Sequence, residues 1–327
     1  MKTNRRAVLI SGVAGAWGLA MPSANAAEWP ARGQAIRLIV PYAAGGTTDI
    51  LGRLMAEGMS RELGVPVIPD NIPGANGNLG VAQLVRAKPD GYTLMLGTPG
   101  PMVVNKYVYD KTPFDPLQDI APVALVAALP NVLLVRPDLG VNTVAEFVAL
   151  AKARNGGLSH GSPGIGSSSH VSAELFKLAA GIKATHIPYK GSLPMLTDLI
   201  GGTVDFTIDQ VSSAFPFIQG GQLKALAVTS GKRSTELPAV PTLKESGFPD
   251  YEVSVWFCIG APARVPADVI MRVNKAINSA LAYPEVKARI QSFAATPLGG
   301  SPEDLAREIQ AEQKNILQVL KVVNLKT

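Results

Sequence analysis

Apolar and polar positions along the chain switch between a strand period and a helix period. Residues 36–40, Ile-Arg-Leu-Ile-Val, have the character of a buried strand. Leu51, Leu54, Met55, Met59 and Leu63 then recur at helical spacing and give one apolar face. Residues 65–68 predict a second strand, 78–87 a helix, and 92–96 a third strand after the Asp90-Gly91 turn. This alternation argues for a parallel sheet with helices on its faces.

The pattern restarts at a strand over 131–135. Thr143 and Glu146 have capping-box spacing ahead of Val144, Phe147, Val148 and Ala151. Strands follow at 158–161, 184–187 and 204–208, with helices over 170–180 and 195–200. The last third predicts a strand over 251–259, a helix from Pro266, and another from Ser301-Pro302 capped with Asp304. The terminal helices need an apolar surface, and the first half's sheet supplies one. The expected fold is therefore α/β and two-lobed. Lobe 1 is discontinuous, 27–125 plus 231–327; lobe 2 is 126–230. Short strands are expected where the chain crosses between them.

Composition narrows the class. At 327 residues with 47% hydrophobic content, the chain has material for two cores and is no disordered segment. Aromatics at 6% leave little for a nucleic-acid stacking platform, and no nucleic-acid partner is expected. The net charge of +5 falls to +2 without Lys2, Arg5 and Arg6. Those residues form the positive start of an expected export signal over 1–26, with an apolar stretch over 7–21 and Ala24-Asn25-Ala26 as its cleavage pattern. The expected product is exported and soluble. The single cysteine, Cys258, cannot form an internal disulfide and reads as a buried structural thiol in a strand. One cysteine and three scattered histidines suggest no metal site, and no cofactor motif is present.

Candidate chemistry concentrates where strands hand over to helices. Residues 41–49 place Gly45 and Gly46 between a strand and a helix, where open α/β sheets bind ligands. Glycines let the backbone approach a ligand, the helix amides favour an anion, and Thr47 and Thr48 add hydroxyls. Asp49 reads as the N-cap. A tight turn without a ligand fits this stretch equally well. Residues 161–170 repeat the arrangement with Ser162, Gly164, Ser167, Ser168 and Ser169, ending at His170. Again, simple capping with the remaining serines solvated is an equal reading. Tyr189 and Lys190, and Asp209, close two further strands and could face the same crevice. Trp256 reads as packing. Neither G-x-G-x-x-G nor a P-loop occurs, and catalysis is not expected. A pocket-serine hydrolase and a ligand sensor for a signalling receptor are the alternatives.

Taken together, PYAAGGTTD (41–49), DNIPGANGNLG (70–80), AKPDGYTLMLGT (87–98), GSPGIGSSSH (161–170), HIPYKGS (186–192), LAVTSGKRS (226–234), VPTLKESGF (240–248) and WFCIGAPARVP (256–266) resemble the extracytoplasmic receptors of tripartite tricarboxylate transporters, the Bug-type solute-binding proteins. The resemblance spans essentially the whole chain after residue 26. It implies a periplasmic-binding-protein fold of type II character closing on a small carboxylate or dicarboxylate. It also implies delivery to integral membrane subunits, by a receptor expected to be a monomer. The two glycine loops would grip the carboxylate, partly through ordered waters. That makes Tyr42, Ala43, Ala44, Gly45, Gly46, Thr47 and Thr48, with Thr98, and 162–169 the candidate ligand contacts. Ile72, where a basic residue is expected, and Cys258, where a smaller residue is usual, depart from the pattern.

Overall fold

A computed structural model describes residues 29–154, 157–292, 294–323 and 325. The expected export signal and its cleavage position lie outside the described residues. The strands are β1 (Ile36–Val40), β2 (Val67–Asn71), β3 (Thr93–Gly97), β4 (Ile120–Val135), β5 (Leu158–Ser162), β6 (Ala184–Pro188), β7 (Phe206–Gln210), β8 (Lys224–Val228), β9 (Ser254–Pro262) and β10 (Thr296–Pro297). The helices are α1 (Thr47–Leu63), α2 (Asn78–Arg86), α3 (Asn105–Val108), α4 (Pro116–Asp119), α5 (Val144–Ala153), α6 (Ser168–Ala180), α7 (Ser192–Ile200), α8 (Val211–Gln219), α9 (Ala267–Ala282), α10 (Pro284–Gln291) and α11 (Pro302–Val319).

The strands are ordered β2-β1-β3-β9-β4-β7-β5-β6, with β8 and β10 also pairing β4. Parallel β1, β2 and β3 occupy one half, and parallel β5, β6 and β7 the other. The crossing differs from the expected short strands. A single 16-residue strand, β4, pairs with β9 up to Pro130 and with β7 and β8 from Asn131 onward. Pro122 and Pro130 interrupt the hydrophobic pattern of its first part, and Pro122 sits at a register shift.

Each half carries helices on both faces. In the first, Met55, Met59, Val273 and Ile277 from α1 and α9 pack on one face of the sheet. On the other, Val81 and Leu84 of α2 join Leu305 and Ile316 of α11. In the second half, Phe147, Phe176 and Phe206 form one cluster, while Met195, Leu196 and Leu199 of α7 anchor the opposite one. Residues after β8 stay with this half: Leu243 and Tyr251 lie in the Phe147 cluster, and Thr242 bridges Val228. Ser301 and Asp304 complete a capping box on α11. Thr143 caps α5, but Glu146 accepts from the Asn142 amide in place of the cap residue's own.

Both parallel sheets aim the C-terminal ends of their strands at the crevice between the halves, and that is where the two glycine loops meet.

A crevice ringed by helix N-termini

The first loop leaves β1 and turns at Gly45, whose φ of +87° lies in the left-handed region that glycine adopts without strain. Gly46 is the extended N-cap of α1, so Asp49 is not the cap as its position suggested. It sits in the first turn and reaches back to accept from the Gly45 amide at 3.0 Å. Arg53 pairs with it at 3.0 Å and Asn71 donates to it at 3.1 Å. Burial opposes ionisation of Asp49, but these donors hold its carboxyl below the usual range. The network fixes the turn without using its threonines.

The second loop leaves β5 and ends at Ser167, which caps α6 by accepting from the His170 amide at 3.2 Å. Two more helices start beside these. α7 begins at Ser192 after Gly191, whose missing Cβ lets it lie against Ala43, and α8 begins after Gln210. Four helix N-termini therefore converge, each with a partial positive charge and unsatisfied amides.

Tyr42, Ala43, Gly46, Thr47, Thr48, Thr98, Pro163, Ser167, Ser168, Ser192 and Gln210 line a cavity of about 20 Å³. That volume is room for roughly one water. Across it, Thr47 Oγ1 and Ser212 Oγ lie 2.5 Å apart, and the Ala43 amide donates to the Lys190 carbonyl at 3.4 Å. The Tyr42 hydroxyl donates to Asn76 Oδ1 at 2.8 Å and sits 3.2 Å from Thr98 Oγ1. Gln210 Nε2 donates to Ser168 Oγ at 3.0 Å. No lysine, arginine or carboxylate lines it among the described residues. Such a site suits an anion held by neutral donors.

The remaining candidates lie elsewhere. Ala44 and Gly45 are exposed at the turn. Ser162 Oγ faces His186 Nε2 at 2.6 Å, away from the cavity, and Gly164 backs onto Asn76. Ser169 donates to Asp209 at 2.8 Å below the cavity floor. Asp209, expected at the crevice, is wholly buried, and burial raises its carboxyl above the usual range despite Ser169 and Ser213. The Tyr189 hydroxyl donates to Asp198 at 2.8 Å, and Lys190 is exposed and meets the first loop only through its carbonyl. Ser192 and Gln210 were not singled out from sequence, and Pro163 only as part of the 162–169 loop. The signal for Ser192 was present, because Gly191-Ser192 repeats the strand–glycine–hydroxyl–helix order of the first two loops.

All three histidines of the chain stack behind the second loop. His170 and His186 have ring centroids 3.8 Å apart, and His160 and His186 4.8 Å. The Gly166 amide donates to His170 Nδ1 at 3.1 Å, which ties the loop to the stack. Burial, then His160, lowers His170 to about 4; burial, then His170, lowers His186 to about 2. The rings are neutral at neutral pH. Although burial opposes it, contacts from His160 and Lys177 hold Glu174 down to about 2.

Residues 51–325 match the tripartite tricarboxylate transporter family receptor, TctC. Protein BugT of Bordetella pertussis (strain Tohama I) is 37% identical over 301 residues, 90% of each chain. The structure of Rhodopseudomonas palustris Rpa4515 with adipate superposes with a TM-score of 0.87 at 38% identity, covering 90% of this chain and 98% of that one. MatC (Rpa3494) from the same organism, with bound malate, gives 0.83 at 30% identity over 87% and 98%. The fold, with its two α/β lobes and the crevice between them, is thus that of the periplasmic binding proteins, and the chain belongs to the tripartite tricarboxylate transporter receptor family.

Proposed function

We propose that this protein is a periplasmic receptor that captures a small carboxylate or dicarboxylate and delivers it to the integral membrane subunits of a tripartite transporter. The observation that carries this reading is the convergence of four helix N-termini on a cavity lined by threonine and serine hydroxyls. Adipate and malate in two relatives support the ligand class. Among the described residues no helix is long and apolar enough to cross a membrane, which fits a receptor that meets its transporter from outside the bilayer. Each charge-assisted hydrogen bond contributes roughly 1.5–3 kcal/mol net. Four or five, less the cost of ordering, give about −8 kcal/mol and micromolar affinity. We place the ligand contacts at Tyr42, Ala43, Gly46, Thr47, Thr48, Thr98, Ser167 and Ser168, and add Ser192 and Gln210. We extend the proposed second lobe from residues 126–230 to about 253, on the packing of Leu243 and Tyr251. The receptor acts as a monomer in this account.

A hydrolase reading draws support only from the Ser162–His186 contact. Ser162 is buried and His186 half-buried, both outside the cavity lining, and an imidazole held at about 2 is a poor base at neutral pH.

The test is the melting temperature of the chain without residues 1–26, refolded to strip ligand, against a panel of carboxylates. A ligand at 100 times its Kd stabilises by about 2.7 kcal/mol and raises the midpoint by several degrees. Response to neutral solutes alone would overturn the carboxylate assignment.

A further inference from the structure

A second, larger cavity of about 410 Å³ shares Ser168 with the first, and Pro99 on its wall directly follows Thr98 of the first. It lies between α6 of the second half and α11 of the first. Apolar side chains dominate its sides, and Val171, Leu175, Val253 and Val319 are each only half-buried there. The donor-lined cavity has room for little beyond a carboxylate head, whereas small-molecule sites run to roughly 300–1,000 Å³. The neighbouring chamber has that size and adjoins the donors.

Its charges are acidic. Glu252 is paired with Lys244 at 2.6 Å. Glu312, on α11, has the Trp256 indole N–H at 3.4 Å, and no lysine or arginine lines the chamber among the described residues. Burial, with some help from Glu308, raises the Glu312 carboxyl above the usual range, as expected for a carboxyl with no cation beside it.

We propose that the chamber receives the body of the ligand beyond its bound carboxylate, and that Glu312 and the apolar walls select an apolar-bodied monocarboxylate against a second carboxylate at the far end. This rests on the carboxylate-receptor reading and narrows it. A distal carboxylate would lose its hydration against valine and leucine and meet Glu312 without a compensating cation. An alkyl or aryl body gains from the same walls.

Calorimetric titration of the stripped protein with acetate, butyrate, hexanoate and adipate tests this. Affinity should rise along the monocarboxylates, and hexanoate should bind at least tenfold more tightly than adipate, which has the same chain length. Glu312→Gln should narrow that gap and Glu312→Lys should reverse it. Val319→Trp, filling the chamber, should weaken hexanoate tenfold or more while leaving acetate unchanged, with an unaltered melting temperature as the folding control. Adipate binding as tightly as hexanoate, with Glu312→Lys indifferent, would overturn the proposal. Acetate binding with no gain along the series overturns the chamber but leaves the receptor reading intact. Binding of no carboxylate removes both.

Discussion

The two glycine loops aim hydroxyls and amides at the same cavity but are held from behind by opposite chemistry. The first is backed by ions: Asp49 holds the Gly45 amide, Arg53 and Asn71. The second is backed by neutral rings, with Gly166 tied to His170 and Ser162 to His186. The caps differ too. Gly46 has no side chain to spend on its own helix, while the Ser167 hydroxyl oxygen accepts the capping bond from the His170 amide. Two loops that look alike in sequence therefore line one cavity while being expected to respond differently to acid and to substitution. The comparison separates what a binding loop shows to its ligand from what holds it in place.

The largest expected effect tests the shared face. Replacing Thr47, Thr48, Ser167 and Ser168 together with alanine removes the side-chain donors of charge-assisted hydrogen bonds worth roughly 1.5–3 kcal/mol each. Carboxylate affinity should fall by about 10⁴-fold or more in a calorimetric titration. The Thr47/Thr48 and Ser167/Ser168 double variants should each show a substantial part of the loss. An effect confined to one pair would break the equivalence of the loops.

Acid distinguishes the backing. Burial lowers the His170 pKa to about 4 from an ordinary value near 6.5, so the unfolded chain binds more protons. Stability held above pH 6.5 is lost as pH falls towards about 4, at up to about 1.4 kcal/mol per pH unit for this one group. Asp49 is held below 3.8, so its contribution is lost only at more acidic pH. Urea unfolding between pH 7.5 and 4.5 should show the slope, and His170→Gln should reduce it, with His186 carrying part of the remainder.

Smaller effects follow from backbone strain. Gly166→Ala puts a Cβ at φ +77°, 3.1 Å from Asn105 Oδ1, and Asn105 is locked by bonds to Asn76 and Asn78. Gly45→Ala, at φ +87°, meets only the flexible end of Leu193 at 3.0 Å. The left-handed backbone costs roughly 1–2 kcal/mol in either variant. Gly166→Ala should be the more destabilising of the two in thermal unfolding. Lys190→Ala should leave carboxylate affinity within about twofold, because its exposed side chain lies outside the cavity lining.

Much of this architecture is written in periodicity. β1 follows directly from an apolar run, and α1 from its recurring leucines and methionines. The apolar run predicts β2 over 65–68, yet the ladder with β1 runs on through Asp70 and Asn71, Asp70 paired with Arg37 and Asn71 bonded to Asp49. The first part of β4 was hidden by its prolines. At the site, glycines followed by hydroxyls marked both loops, but spacing does not say which serine points inward. Ser162 turns towards His186, Ser169 towards Asp209, and Ser167 and Ser168 into the cavity. The histidine stack depends on β5 and β6 pairing in parallel with His160 opposite His186, a register that lies beyond local patterns. Glu312 was missed for the same reason: it reaches the crevice from the last helix, more than 140 residues from the serine loop.

The central claim is that neutral donors at converging helix N-termini read negative charge. Its most direct test is calorimetric titration of the stripped protein with its tightest carboxylate and with the matched primary amide. The two share shape and hydrophobic body, and differ in charge. The carboxylate should bind at least 30-fold more tightly. Equal affinities would mean that the crevice recognises shape alone and that its helix ends are only turns.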